Sequence, residues 1–337
     1  MLLILPLLLF GVSFVWAQDV PVLSGGAGFF DEDNGGANFF QLVLAPVLVV
    51  PLGEKWLIES RADLREVYSR ENGTSGPYQG QFFGTLEYLQ LDYLAASRIT
   101  ITAGRFLTPF GIFNERISPI WINKFQDAPF IAAIGTGTGY SDGLMVRGAL
   151  ISNQNYSLNY EAYFSTLSTV QNLQSARGAG GRVGVFIPRT RLEVGASYGR
   201  TLQGTHFNSQ GVDVSWSPYG APVQIFGEWA HSPSGQGYWL QASYRLAQLT
   251  GSDSGIGRLE PVFRMQQFFR SQFVPGDSLP PSNTTLPEFG LNYYFPHEVR
   301  LNAAYGRQYT SHSTDTNVWN FGITYRFLFP LWPATSK

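Results

Sequence analysis

Residues 99–111 read ITITAGRFLTPFG, and this stretch is the starting point for predicting the fold. Its first five residues alternate apolar and polar side chains, which is the pattern of a β-strand with two different faces. The pattern stops at Thr108, and the residues from there to Tyr140 carry many aromatic and charged side chains instead. A connection this long inside a compact domain is uncommon and usually functional. We therefore expect the 108–140 segment to carry the function of a β-rich protein.

The clearest alternation elsewhere lies between Trp56 and Tyr68, where one face is charged and the other is apolar. The charged face carries Glu59, Arg61, Asp63 and Arg65. A soluble β-sandwich gives a similar pattern, but burying so many charges in a dry core costs several kcal/mol per unpaired ion. A water-filled interior removes that cost, and abundant Tyr and Trp on the other face suit a boundary between lipid and water.

The connections between the predicted strands alternate in length. The short ones are 51–54, 96–97, 152–155, 188–190, 218–220 and 296–298. The longer ones are 70–83, 108–140, 168–180, 202–209, 231–236, 270–285 and 309–316, with 247–257 the one longer member of the short set. Barrels of bacterial outer membranes have short turns at one end, long loops at the other, and an even number of strands.

These patterns predict an all-β fold: a transmembrane, antiparallel, up-and-down β-barrel of about 16 strands. The count includes a weak, glycine-rich first strand at 20–30, followed by a polar turn at 31–36. On this count the 108–140 segment is the third outer loop, and we expect it to fold inward and narrow the lumen. The predicted location is the outer membrane of a Gram-negative bacterium.

The N-terminal residues and the composition limit the alternatives. Residues 2–16 are almost all apolar and are followed by Ala17, so we predict a signal peptide at 1–17 and a single barrel domain at 18–337. A membrane anchor is the alternative, but the apolar run is shorter than the roughly 18–20 residues that a spanning helix needs. The 337 residues include no Cys and carry a formal charge of −2, which excludes a disulfide scaffold and gives no basic surface for nucleic acid.

Sequence motifs for catalysis or cofactors lack the context that they need. Residues 195–199 match G-x-S-x-G, but they lie inside an alternating strand and not at a strand-to-helix turn. The glycine-rich residues 135–139 resemble a phosphate-binding loop, yet no helix follows them. The four histidines fall in connections without the spacing of metal ligands. We therefore expect no enzymatic activity, no cofactor and no metal site.

The segment Gly104-Arg105-Phe106-Leu107-Thr108-Pro109-Phe110-Gly111 leaves a strand, and a long third loop follows it. Together with the alternating aromatic residues of the last strand, these features resemble porins, most nearly the phosphate-selective porin O and P type. The resemblance implies a trimer of diffusion channels with the third loop folded into each pore. Two features depart from that family: residues 328–337 follow Phe327, the last residue of the alternating aromatic face, and the predicted lumen charges are nearly balanced in sign. A lumen lined by charges of one sign selects against ions of that same sign. Because the predicted lumen charges here are nearly balanced, we expect a pore as in that family but not its phosphate selectivity.

The sequence thus predicts a water-filled channel for passive diffusion of small hydrophilic solutes or ions, in contact with outer-membrane lipid and lipopolysaccharide. The predicted constriction and lumen residues are Arg105, Glu115, Arg116, Lys124, Asp127, Glu59, Arg61, Asp63, Arg65 and Arg147. The loop charges would face the wall arginines and set the pore radius and the transverse field. Arg105 has two readings: Gly104 could bulge and turn it inward, or it could lie at the membrane interface. A non-conducting barrel that acts as an adhesin or a scaffold is the alternative function.

Overall fold

The computed structural model describes residues 20–166, 175–204, 206–251 and 254–331. Within them, sixteen antiparallel strands form one closed barrel. The strands are β1 Val22–Asn34, β2 Ala37–Leu52, β3 Trp56–Arg70, β4 Tyr78–Ala96, β5 Ile99–Leu107, β6 Tyr140–Ser152, β7 Ser157–Thr166, β8 Gly178–Ile187, β9 Leu192–Thr201, β10 Asn208–Trp216, β11 Val223–Ser232, β12 Gly235–Tyr244, β13 Leu259–Arg270, β14 Thr284–Tyr294, β15 Val299–Thr310 and β16 Thr316–Pro330. Three short helical turns occur at Phe113–Ile117, Ala247–Thr250 and Gly255–Arg258.

The barrel is closed by pairing of its first and last strands. β1 pairs with β16 from Val22 opposite Pro330 to Asn34 opposite Val318, and every other pair joins neighbours in the sequence. Closure leaves no strand edge unpaired, so the backbone hydrogen bonds are satisfied without water. The predicted antiparallel barrel of about 16 strands is confirmed.

The first strand is longer than predicted. Residues 31–34, which were predicted to belong to a turn, continue β1, and only Gly35 and Gly36 form the turn to β2. Both glycines have positive φ, which a two-residue hairpin turn of this kind requires. Pairing with β2 and β16 on both sides outweighs the poor strand propensity of the glycines in β1.

The two faces of the barrel wall differ as predicted. In β16, Trp319 and Phe321 are 57% and 48% exposed, whereas Asn320 between them is 4% exposed. Outward aromatic side chains pair across strands, with Tyr305 and Trp319 ring centres 4.4 Å apart. An apolar outer surface around a polar inner one is the arrangement of a barrel that sits in lipid.

The predicted difference between the two ends of the barrel is present but not strict. Long connections at 71–77, 108–139, 271–283 and 311–315 lie at one end, but residues 233–234 at the same end form a two-residue turn, because β11 and β12 extend into the predicted 231–236 loop. The predicted signal peptide at 1–17 lies outside the described residues, as does much of the predicted 168–180 loop. Among the helices of the described residues, none is long and apolar enough to cross a membrane.

Candidate functional site

Residues 108–139, between β5 and β6, form a segment that we name the strap. The strap starts next to β9 and β11, where the backbone N–H of Gly111 donates to Ser197 Oγ at 3.0 Å. The N–H groups of Ile112 and Phe113 then donate to one carboxylate oxygen of Glu228 at 3.2 and 3.4 Å. Ser197 is the serine of the G-x-S-x-G match, and it lies within β9 and not at a strand-to-helix turn. Its hydroxyl positions the strap.

The middle of the strap is anchored through Lys124. Its ammonium group donates to Ser243 Oγ on β12 and to Glu260 Oε1 on β13, both at 2.5 Å. Its backbone carbonyl accepts from Asn292 at 3.3 Å and Asn302 at 2.9 Å, which lie on β14 and β15. Burial lowers the pKa of Lys124, and the nearby Glu260 carboxylate opposes that shift. One residue of the strap is thus joined to four adjacent strands.

Replacing Lys124 with Met is expected to destabilise the folded barrel by about 3 kcal/mol, because the buried Glu260 carboxylate would lose its charged partner. The measurement is the free energy of unfolding by urea in detergent micelles. The double variant Lys124→Met/Glu260→Gln removes both charges and should recover most of the loss. A single variant as stable as the wild type would show that water already solvates Glu260 and that the ion pair does not anchor the strap.

The strap also reaches the last strands of the barrel and the first one. Arg264 on β13 donates to the carbonyl of Asp127 at 2.9 Å, and Asn320 on β16 donates to its carboxylate at 3.3 Å. On β1, a methyl group built onto Gly26 would lie 2.7 Å from the ring of Trp121. Gly26, one of the glycines that make β1 a weak strand in sequence, therefore leaves space for the side chain of Trp121.

An apolar cluster joins the strap to the inner face of three strands. The strap contributes Phe110, Ile112, Phe113, Ile117, Ile131 and Ile134, and the strands contribute Ala230, Trp239 and Phe268. The rings of Phe113 and Trp239 meet edge to face at 6.2 Å. This part of the inner face is packed against protein. Strand alternation alone does not predict an apolar inner patch, although consecutive aromatics such as Tyr238 and Trp239 indicate that both faces of β12 are covered.

Opposite this cluster, side chains of the strap and of β3 to β7 enclose a cavity of about 260 Å³, which we name the polar cavity. Its lining is Glu59, Arg61, Tyr88, Gln90, Leu107, Glu115, Arg116, Met145, Arg147 and Glu161. Five of the predicted residues, Glu59, Arg61, Glu115, Arg116 and Arg147, are brought together here. Two belong to the strap and three belong to the barrel wall, as the predicted pairing of loop and wall charges requires.

The arginines of the polar cavity are already paired. Arg61 pairs with Glu87, Arg116 with Glu193 at 2.7 Å, and Arg147 with Asp92 at 3.0 Å. In the described part of the chain, no basic side chain lies within ion-pair distance of Glu59, Glu115 or Glu161. Burial raises the pKa of Glu115 well above its ordinary value, and the adjacent Glu161 raises it further. The polar cavity is therefore lined by three arginines whose carboxylate partners lie outside the lining and by three glutamates that have no such partner.

Asp63 and Arg65 line a different cavity. This second cavity measures about 210 Å³ and also contains Glu87 and Tyr140. The guanidinium of Arg65 donates to both carboxylate oxygens of Asp63 at 2.7 Å. The predicted lumen residues of β3 thus divide between two cavities.

Arg105 is buried and fully paired. It donates to both carboxylate oxygens of Asp142 at 2.8 and 2.9 Å and to the carbonyl of Leu86 at 3.1 Å. Its guanidinium lies 4.6 Å from the ring centre of Tyr140, which lines the second cavity. Gly104 before it has φ of 116°, a backbone conformation that favours glycine. Arg105 is therefore buried and ion-paired, and it is not exposed at the membrane interface.

Lys124 and Asp127 contact neither cavity. The structure places Lys124 beside Glu260 and Asp127 beside Arg264 and Asn320, on the side of the barrel away from the wall arginines 61 and 147. The strap therefore separates the four predicted loop charges into two that line the polar cavity and two that attach the strap to the barrel.

Glu87 is a cavity residue that strand alternation misses. Arg61 pairs with Tyr88 but Ala62 pairs with Leu86, so Glu87 is the extra residue of a β-bulge. A bulge turns two consecutive side chains to one face. The sequence does contain a signal for the bulge. Regular alternation would place Glu87 on the same outward face as Leu89, where a charge facing lipid would be costly.

No protein-family model matches the chain, and no curated protein matches its sequence. Its structure is similar to that of OmpF from Salmonella typhi in complex with daunomycin, with a TM-score of 0.60, 15% identity, and coverage of 92% of this chain and 98% of that one. It is also similar to an anion-selective porin from Comamonas acidovorans (TM-score 0.56, 12% identity, 91% and 98% covered). A trimeric form of OmpT from Vibrio cholerae, folded in vitro, matches with a TM-score of 0.56, 10% identity, and coverage of 92% and 100%. At such low identity these similarities show the fold, which is that of porins.

Proposed function

We propose that this chain, which has the porin fold, is a channel in the outer membrane of a Gram-negative bacterium and lets small hydrophilic solutes diffuse passively. The observation that carries the proposal is the closed barrel with an apolar outer face and charged cavities along its inner face. Charges on the inner face are tolerated where water can reach them, and the outer face requires lipid.

The strap is proposed to lie inside the barrel and to narrow the path. It is bonded to β9, β11, β13, β15 and β16, and its residues Glu115 and Arg116 share the polar cavity with β3, β6 and β7. Contacts with strands all around a closed barrel support a strap that crosses its interior. The remaining route for solutes then follows the wall formed by β3 to β7.

The polar cavity favours cations in this proposal. Its arginines are neutralised by carboxylates at ion-pair distance, whereas Glu59, Glu115 and Glu161 are not neutralised in the same way. Charge at the narrowest part of a pore controls which ions enter. Nearly equal numbers of acidic and basic lumen residues predict weak ion selectivity. Because the arginines are neutralised and the three glutamates are not, we propose a preference for cations instead.

We also propose that three copies assemble, as the resemblance to porins implies. The support is the fold, since a protein of similar structure is a trimer. Cross-linking of the detergent-solubilised chain, followed by electrophoresis, tests this assembly.

Planar-bilayer recordings of the purified, refolded chain test the channel itself. In a KCl gradient we expect stepwise channel openings and a reversal potential whose sign shows that K⁺ is more permeant than Cl⁻. Silence at all voltages would instead favour the non-conducting barrel, which the apolar cluster between the strap and β11 to β13 also supports.

The cation preference is expected to increase as the pH rises from 5 to 9. The pKa of Glu115 is raised by burial and by Glu161, so its carboxyl keeps a proton at low pH and gains a negative charge as the pH passes the raised pKa. Arg147 and Arg116 also face Glu115, and they stay charged throughout this range. Reversal potentials measured at each pH check the trend. Glu115→Gln should flatten it, and an unchanged trend in that variant would assign the titration to another group.

A further inference from the structure

Two acidic side chains face each other where the strap meets the first and last strands. Glu32 lies on β1, is 9% exposed and pairs directly with Asn320 of β16. The Asn320 amide donates to the carboxylate of Asp127 on the strap at 3.3 Å, so the two carboxyl groups are neighbours. Two carboxylates this close repel each other, and in a buried site they need a proton or a cation between them.

Two amide oxygens near this pair, those of Asn320 and Gln126, are buried without a hydrogen-bond partner. Asn320, which pairs with Glu32 across β1 and β16, is 4% exposed. Its Nδ2 donates to the Asp127 carboxylate, so the amide group lies beside the acidic pair. Its Oδ1 is buried and has no hydrogen-bond partner. Both polar atoms of the Gln126 side chain are also buried without a partner. Such orphaned buried oxygens are rare, and they indicate water or an ion.

The charges around the pair do not neutralise it. Arg264 is paired with Glu288 at 2.7 Å, and it reaches Asp127 only through the backbone carbonyl at 2.9 Å. Arg65 on β3 is paired with Asp63 at 2.7 Å. After these pairs cancel, Glu32 and Asp127 carry two negative charges when both are ionised, and one divalent cation would balance them.

We propose that Glu32, Asp127 and Asn320 bind one divalent cation, with Ca²⁺ as the preferred ion. The bound ion would attach the strap to the paired strands β1 and β16. Two carboxylates and an amide oxygen are the hard oxygen ligands that Ca²⁺ takes, and water and Gln126 Oε1 can complete its shell. No group of three His, Cys, Asp or Glu side chains suited to a metal occurs in the described residues, so the amide oxygens are essential to the site. The inference does not depend on whether the barrel conducts.

Calorimetric titration of CaCl₂ into the refolded, EDTA-treated chain in detergent at pH 8 tests the proposal. Refolding from denaturant removes lipopolysaccharide, which itself holds divalent ions. One binding event is expected, with a dissociation constant at or below about 1 mM, the range of weak extracellular calcium sites. Glu32→Gln should weaken binding at least tenfold, and Asn320→Asp should strengthen it by adding a carboxylate to the shell.

Glu298→Gln is the matched control, because Glu298 is an exposed glutamate in the turn between β14 and β15 and should leave binding unchanged. Far-UV circular dichroism establishes that each variant has folded. The proposal is overturned if the wild type takes up no Ca²⁺ at about 10 mM, since the pair then holds only a shared proton. It is also overturned if Glu32→Gln and Asn320→Asp both bind as the wild type does.

Discussion

Deleting residues 113–129, with a short Gly-Ser linker in their place, is expected to raise the single-channel conductance about twofold or more. The deletion removes the part of the strap that carries Lys124 and Asp127 and that bonds to β11, β13, β15 and β16. The strand pairs that close the barrel do not include these residues, so the barrel should persist. Conductance in symmetric 1 M KCl is the measurement, with the refolded state verified by its resistance to unfolding in cold detergent.

A matched deletion in another loop provides the control. The connection at 71–77 lies at the same end of the barrel and is bonded within itself, so removing 72–76 should leave the conductance near that of the wild type. If the strap deletion folds and conducts as the wild type does, the strap is not the constriction. The path would then have to be limited elsewhere along the wall of β3 to β7.

The second large effect concerns ion selectivity. Glu59→Gln combined with Glu161→Gln is expected to lower the permeability ratio of K⁺ to Cl⁻ severalfold, because it removes two carboxylates of the polar cavity that are not paired with arginine. Glutamine keeps the size and the hydrogen bonding of glutamate, so the cavity should keep its shape. The ratio is obtained from reversal potentials in a tenfold KCl gradient.

Two further variants separate charge in the cavity from charge elsewhere. Glu66→Gln removes an exposed glutamate of β3 whose neighbour is Tyr68, and it should change nothing. Glu193→Gln frees Arg116 from its 2.7 Å ion pair, and it should move the ratio in the same direction as the double variant. A double variant that stays as cation-selective as the wild type would place the selectivity outside the polar cavity.

Much of the barrel could be predicted because its determinants are local. Alternation with period two, as in β3 and β16, reports which face of a strand is wet, and turn residues report where strands end. These signals predicted the strand count, the outward Trp319 and Phe321, and the strap as the irregular connection. Boundaries failed where pairing with neighbouring strands extended a poor strand former, as in residues 31–34 of β1.

The sequence by itself determined the closed barrel, its charged inner face and the identity of most charges in the candidate site. Only the tertiary structure decided which charges neutralise each other, since Arg116 meets Glu193 and Lys124 meets Glu260 across long separations in the chain. It also decided that a bulge turns Glu87 into a cavity and that Gly26 of β1 leaves space for the strap. Alternation records the face of each residue but not its neighbours, and the energy of a charge depends on the neighbours.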